Sequence, residues 1–133
     1  MEKRKSVLAI DDNVVQLNAF RNILSDKYEI FTVNSAANAI NFMNANAVDC
    51  ILLDIQMPYV SGFDFLYDIR KIPSYMITPI IIVSGVTGAE FFAEARKSSA
   101  FDVLSKPVEP EHLISTIDKA ISDAENQRHS DDI

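Results

Sequence analysis

Four short stretches of this sequence set reactive side chains directly behind apolar runs. Val7 to Ile10 leads into Asp11 and Asp12, and Cys50 to Leu53 leads into Asp54. Ile80 to Val83 leads into Ser84 and Gly85, and Phe101 to Leu104 leads, after Ser105, into Lys106 and Pro107. If the fold gathers these residues, three carboxylates share one small volume. Two carboxylates about 4 Å apart repel by about 4 kcal/mol at an effective dielectric of about 20, and three make three such pairs. Either one acid keeps its proton or a cation stands among them. A hard divalent ion with oxygen ligands is the economical answer. Mg²⁺ fits, because it takes one or two carboxylates and completes its shell with waters and a phosphate oxygen, and Mn²⁺ can substitute for it. Lys106 and Ser84 supply what a phosphoryl group requires, a compact positive charge and a hydroxyl donor for its oxygens.

Taken singly, each piece has a plainer reading. An Asp-Asp pair behind a strand is commonly a helix cap with a solvated neighbour, and a lone Asp before a loop is a turn residue. Lys-Pro and Ser-Gly pairs are ordinary surface turns. Convergence on one edge of the molecule is what favours chemistry, so the elements that carry these residues decide the matter.

Val14, Leu17, Phe20 and Leu24 recur at spacings of three and four, which predicts a helix with that face inward. Tyr28 to Val33 predicts a strand, and Ser35 an N-cap for a helix burying Ala36, Ile40 and Met43. The loop from Gln56 to Gly62 opens a helix with Phe63, Leu66 and Ile69 inward. Pro79 to Val83 is a buried strand whose proline is tolerated at its first position. Ala89 to Lys97 predicts a helix, Phe101 to Leu104 a strand, and Glu109 to about Asn126 a last helix facing inward with Leu113, Ile117 and Ala120 or Ile121. Five strand-helix units in succession predict an α/β fold, a doubly wound parallel sheet of five strands, (βα)5, with right-handed crossovers. Open parallel sheets bind ligands beyond the carboxyl ends of their strands. Asp11, Asp12, Asp54, Ser84 and Lys106 all fall there, whereas strand two ends in Asn34 and Ser35, a turn and a cap.

Composition narrows the class further. With 133 residues, 48% hydrophobic and 23% charged, the chain buries about two-thirds of its unfolded surface and makes one globular domain. Residues 1–126 are expected to form it, with 127–133 a polar, frayed tail. No apolar run reaches the roughly 18 residues of a membrane span and no signal peptide heads the sequence, so a cytoplasmic protein without membrane partners is expected. A net charge of −7 with no basic stripe disfavours direct nucleic-acid binding. Cys50 reads as a buried, inert thiol, and His112 and His129 have no Cys or carboxylate at zinc-ligand spacing.

The pair Asp11-Asp12, the segment Leu53-Asp54-Ile55-Gln56-Met57-Pro58 with Ser61-Gly62 behind it, Ser84-Gly85 and Lys106-Pro107 form, in this order and spacing, a specific signature. From about Lys5 to Ser122 the chain resembles the receiver domains of two-component response regulators, with the chemotaxis regulator as their minimal example. The resemblance implies a flavodoxin-like strand order of 2-1-3-4-5. It makes Asp54 the phosphoacceptor, attacking the phosphoryl group of a phosphohistidine on a sensor histidine kinase or histidine phosphotransfer protein. It also implies Mg²⁺ held by Asp12, Asp54 and the Gln56 backbone carbonyl, with Asp11 assisting. Phosphoryl oxygens would be bound by Lys106, Ser84 and the backbone N–H groups of Gln56 and Gly85. By the same resemblance the Lys106–Pro107 peptide is cis, Gly85 leaves the approach to Asp54 open, and Gln56 and Val86 flank the path of hydrolytic water. The implied function is a signalling switch that catalyses only its own phosphorylation and dephosphorylation. Its output would pass through the surface of helix 4, strand 5 and helix 5 to a downstream protein or fused output domain, from a monomer or weak dimer. On this reading no output domain follows the last helix, which leaves a stand-alone regulator or a receiver cut from a larger protein.

Departures from the resemblance concern the output step. Three residues before Lys106 the family usually has Tyr or Phe, which turns inward as the hydroxyl after strand four moves; here Val103 pairs with Ser84 as the switch position. Phe101 lies two positions earlier, on the same face by strand periodicity. Ser98-Ser99 stand where a glycine is common. Phe91 and Phe92 cannot both face the core from one helix; one core ring and one ring covered by a loop is expected, a partner surface the alternative. Three other functions compete. A module docking partners without phosphorylation is compatible with Val103 but leaves Asp54, Lys106 and Ser84 unexplained. An aspartyl-nucleophile phosphatase needs a second acid two residues after its nucleophile, where Gln56 and Asn13 stand. A flavin phosphate would be repelled by the acidic loop after strand one.

Overall fold

Strands whose two faces are both apolar must be covered on both sides, and the runs around Leu8, Ile51 and Ile81 are of that kind. In the computed structural model, which describes residues 3–58 and 60–131 with side chains through residue 128, they lie at the centre of one parallel sheet. Its strands are β1 (Ser6–Ile10), β2 (Glu29–Val33), β3 (Cys50–Leu53), β4 (Ile80–Ser84) and β5 (Asp102–Ser105), in the order β2-β1-β3-β4-β5. That is the doubly wound arrangement and the 2-1-3-4-5 order expected above. The helices are α1 (Val14–Leu24), α2 (Ala36–Ala45), α3 (Gly62–Arg70), α4 (Ala89–Lys97) and α5 (Pro110–Asp131).

Alternation along the strands splits the core in two. Val7, Ala9, Cys50, Leu52, Ile81 and Val83 face α1 and α5, where they meet Leu17, Phe20, Leu113 and Ile117. Leu8, Ile10, Ile51, Leu53, Ile80 and Ile82 face the other way, onto Met43, Phe63, Leu66, Ile69 and Ala95. Cys50 is fully buried, as expected, and burial pushes its thiol well above the usual range. Register carries the strand ends to one edge: Ile10 pairs with Val33 and Leu53, Leu53 with Ile82, and two residues further on Ser84 pairs with Ser105. Asp11 and Asp54 therefore emerge side by side, with Asp54 N–H still donating to Ile10 O at 3.0 Å.

Several elements differ from expectation for local reasons. Val14 is 57% exposed; as the first helical residue it overhangs the sheet, and the inner face of α1 begins at Leu17. In α2 the buried residues are Ala39 and Met43, with Ala36 and Ile40 only partly covered. Strand β4 starts after Pro79, which has no N–H to donate, and extends to Ser84. Strand β5 begins one residue late, at Asp102, so period-two alternation does not reach Phe101. Phe101 packs toward α1 and α5 while Val103 packs toward α2 to α4, on opposite faces rather than one. Helix α5 continues through Asp131, past the expected end near Asn126. No Gly or Pro interrupts that stretch, Ala124 is buried, and Glu125 pairs with Lys5; residues 132 and 133 of the expected tail lie outside the described residues. Of the two adjacent rings on α4, Phe91 packs on Phe63 at 5.9 Å between centroids and Phe92 leans edge-on against Phe91 at 5.3 Å.

Two features escaped the pattern analysis. Gln56–Met57 and Val60–Ser61 pair as a small antiparallel ladder inside the expected loop. At the opposite end of the sheet the half-buried Arg70 ties three segments together, donating to Tyr75 O (2.9 Å), Ser99 O (3.1 Å) and Ser99 Oγ (2.7 Å), and also to Thr78 O. The Ser98-Ser99 turn is closed by side chains, with Ser98 extended (φ −76°) instead of left-handed. Gly62, the first residue of α3, lies so close to the loop after β3 that an added Cβ would fall 2.4 Å from Ile55 Cα and O. Backbone atoms cannot yield as a side-chain tip can. Gly62→Ala is expected to cost about 2 kcal/mol or more of folding free energy, measured as a lowered urea midpoint with the slope unchanged.

Candidate functional site

Each acid owes its position to a strand end. Asp11 follows β1, is 1% exposed, and accepts from its own loop through Asn13 N–H to Oδ1 at 2.9 Å. Asn13, not either aspartate, caps α1, accepting from Val15 N–H (2.9 Å) and Gln16 N–H (3.3 Å). That cap was missed above, although an Asn directly before a helical pattern is a start signal. It turns the chain so that Asp11 points inward beneath the sheet edge while Asp12 stays exposed. Asp54 follows β3, is 6% exposed, and accepts Gln56 N–H on Oδ1 at 3.0 Å.

Lys106 reaches across from the end of β5, behind a cis Lys106–Pro107 peptide as expected. Its Nζ donates to Asp11 Oδ2 at 2.8 Å and to Asp54 Oδ2 at 3.3 Å. Carboxylate oxygens of Asp11, Asp12 and Asp54 all lie within 4.8 Å of one another. Three acids from two strands and one lysine from a third thus share a single pocket. One ammonium against three carboxylates leaves a formal charge of −2. This donor set suits a hard divalent cation: oxygen only, closely spaced, and under-neutralised.

Electrostatics follow from burial and charge. Burial pushes the Asp54 carboxyl above the usual carboxylate range and the Asp11 charge adds to it, while the Gln56 N–H and Lys106 pull the other way without cancelling it. Burial alone would lower the Lys106 ammonium, yet hydrogen bonding to Asp11, with the charges of both acids, holds it above the usual lysine value.

The remaining residues surround this group without all joining it. Ser84 ends β4, 1% exposed, and its Oγ accepts Val86 N–H at 3.1 Å, turned to its own loop. Ser84 O accepts Lys106 N–H at 2.9 Å, so the backbone links hydroxyl and lysine. The Gln56 N–H expected on a phosphoryl oxygen is occupied by Asp54 Oδ1. A Cβ at Gly85 would meet no atom within 4 Å, so no packing demands glycine there, whereas Gly88 at φ +123° does hold a glycine-only backbone in the same loop. Val103 stays half-buried in the core beside α2 to α4 and takes no part in the acidic cluster.

Fold and site together define a class, and comparison with known proteins names it. The family model of the response regulator receiver domain matches residues 7–118. The chain belongs to that family, whose members are the phosphorylation-controlled signalling switches of two-component systems. It is 31% identical over 121 residues to the hydrogenase transcriptional regulatory protein HoxA of Cupriavidus necator, covering 90% of this chain and 25% of that protein. It is 33% identical over 131 residues to the response regulator protein TodT of Pseudomonas putida, covering 96% of this chain and 56% of that one. The chemotaxis protein CheY4 of Vibrio cholerae superimposes with a TM-score of 0.83 at 29% identity, covering 89% of this chain and 99% of that chain. The chain thus spans between a quarter and somewhat over half of these two regulators, and nearly all of the chemotaxis protein. Among the described residues no helix is long and apolar enough to cross a membrane.

Two outcomes follow from the charge balance. A group whose folded pKa is raised opposes folding once ionised, so without divalent cations Asp54→Asn is expected to raise the melting temperature by a few degrees at neutral pH. That gain shrinks as pH falls through the raised Asp54 value and is gone below the ordinary carboxylate range, where Asp54 is protonated in both states. Lys106, also raised, favours folding in its charged form: its contribution is full below the usual lysine range and is lost as pH rises through its raised value. Lys106→Met, leaving two buried acids uncompensated, is expected to cost about 2–3 kcal/mol, and markedly less when Asp54→Asn is also present, as a double-mutant denaturation cycle would measure.

Proposed function

We propose that Asp54 is the phosphoacceptor of this receiver, phosphorylated from a phosphohistidine on a sensor histidine kinase or a histidine phosphotransfer protein. The observation that carries the reading is the bridge of Lys106 Nζ to both Asp11 and Asp54, with three carboxylates gathered within 4.8 Å. A nucleophile at such a site must stay ionised, accessible at one oxygen and backed by positive charge. Asp54 Oδ1 is held by the Gln56 N–H and Oδ2 by the longer of the two lysine contacts.

Asp12, Asp54 and the Gln56 carbonyl would hold Mg²⁺ or Mn²⁺, with Asp11 assisting. Such an ion supplies two positive charges and ordered coordination for oxygen ligands, which offsets the −2 of the pocket. In transfer, an Asp54 oxygen forms the new O–P bond as the P–N bond to the donor histidine breaks and the imidazole leaves with the electron pair. Lys106 and the Ser84 hydroxyl neutralise and orient the phosphoryl oxygens, helped by the N–H of Gly85 and by that of Gln56 once it leaves Asp54 Oδ1. Ser84 can donate its hydroxyl proton while still accepting from Val86 N–H. Drawing Ser84 toward the phosphoryl group pulls on the loop from Gly85 to Gly88 and hence on α4. Val103 has no ring to rotate, so that loop is the route to the surface of α4, β5 and α5, where a downstream protein or fused output domain would read the state. Gln56 and Val86, flanking the path of water, would set the lifetime. The setting is cytoplasmic, no nucleic acid is contacted directly, and the domain, whose last helix runs past residue 126 to Asp131, works as a monomer or weak dimer.

Incubation with acetyl phosphate and Mg²⁺, followed by intact mass measurement, is expected to add one phosphoryl group to the native chain. None should appear on Asp54→Asn or after chelation of the metal. A phosphoryl group that persists on Asp54→Asn would remove Asp54 from the role.

A further inference from the structure

Beside the acidic pocket lies a hollow of about 330 Å³ that the phosphoryl chemistry leaves unused. Asp12 stands on its rim, and Ala36, Ala37, Met57, Pro58 and Val60 supply its walls. Its origin is local. Helix α2 opens with two alanines where longer side chains would fill the space, and the small ladder of Gln56–Met57 with Val60–Ser61 holds Met57 and Val60 opposite them. The polar wall residues are engaged in starting α2: Ser35 Oγ accepts Asn38 N–H at 3.1 Å, and Asn34 Oδ1 accepts Asn38 Nδ2–H at 3.1 Å. Among the described residues that line it, what remains is an apolar recess with one charged side chain, Asp12.

That charge is also the connection to the site, because an Asp12 carboxylate oxygen lies within 4.8 Å of one on Asp54. A group bonded a few atoms from a phosphorus approaching Asp54 can therefore enter the hollow. A carboxylate tail would lose its hydration among these apolar walls, while a neutral aliphatic one would be taken out of water there. We infer that the hollow bounded by Asp12, Ala37, Met57 and Val60 makes this receiver select, among small phosphoryl donors, acyl phosphates with an aliphatic chain longer than acetyl. The inference rests on Asp54 being the phosphoacceptor. In the reaction the Asp54 O–P bond forms, the P–O bond to the acyl group breaks, and the aliphatic carboxylate leaves with the electron pair, so no redox partner or added proton is needed.

Acetyl and butyryl phosphate share the same leaving chemistry and differ by two methylenes, which makes them the probes. Labelling rates by intact mass, at equal concentration with Mg²⁺, are expected to favour butyryl phosphate roughly fivefold. Ala37→Leu, at an exposed position that accepts a larger side chain without disturbing the core, is expected to bring the ratio of the two rates back toward one. Equal rates on the native chain, or a ratio that Ala37→Leu leaves unchanged, would overturn the inference while leaving Asp54 as acceptor. No labelling from either donor would overturn both.

Discussion

Three carboxylates and one ammonium at the end of a parallel sheet are the constraint on which the rest of this molecule depends. Asp11 and Asp54 are almost wholly buried, and Lys106 Nζ lies between them at 2.8 and 3.3 Å. Like charges held so close in a desolvated pocket oppose folding, and a single lysine offsets only part of that. Hydrophobic packing in the two core layers must hold the acids against their own repulsion. A site kept short of positive charge in this way responds to whatever brings charge into it, which is the property a phosphorylation switch requires.

The sheet meets this demand through register. Because β1, β3 and β4 are parallel neighbours, their carboxyl ends open on the same edge, which receives Asp11 and Asp54 just past β1 and β3 and Ser84 as the last residue of β4. Lys106 reaches the group from β5, next to β4, and the hydrogen bond from its N–H to Ser84 O makes lysine and hydroxyl parts of one backbone unit. Gly62 allows the loop after β3 to be backed by α3 at backbone contact, which leaves Asp54 little freedom to retreat. At the far end Arg70 joins the chain after α3 to the turn before β5 through carbonyls and a hydroxyl, so the lower edge is pinned while loops at the upper edge carry the chemistry.

Membership of the receiver family places the chain among proteins that convert a phosphoryl group into a change of surface. The particular feature here is Val103. With a valine packed into the α2 to α4 side of the core, no ring stands at that position, while on α4 Phe92 leans on Phe91 and Phe91 on Phe63. Movement of α4 would shift those rings directly. Phe101, the other aromatic near Lys106, faces the opposite layer and cannot replace the missing ring.

Local pattern was sufficient for the fold class, the five strands, the inward faces of α3 and α5, and the gathering of Asp11, Asp12, Asp54 and Lys106 at one edge, because apolar periodicity and the rule for parallel strand ends are both local in sequence. The family signature added the strand order and the cis peptide. Tertiary structure alone decided which acids are buried and which carboxylate oxygens Lys106 Nζ bridges, since desolvation depends on neighbours 43 to 95 positions away, from Asp54 on Asp11 to Lys106 on Asp11. It also decided that Phe101 and Val103 take opposite faces, because the strand begins one residue later than composition suggests, and that Gly62 is required, because Ile55 meets it only once the loop has closed. The hollow between the alanines of α2 and Met57 belongs to the same class: an absence of side chains becomes a cavity only when another element stands across from it.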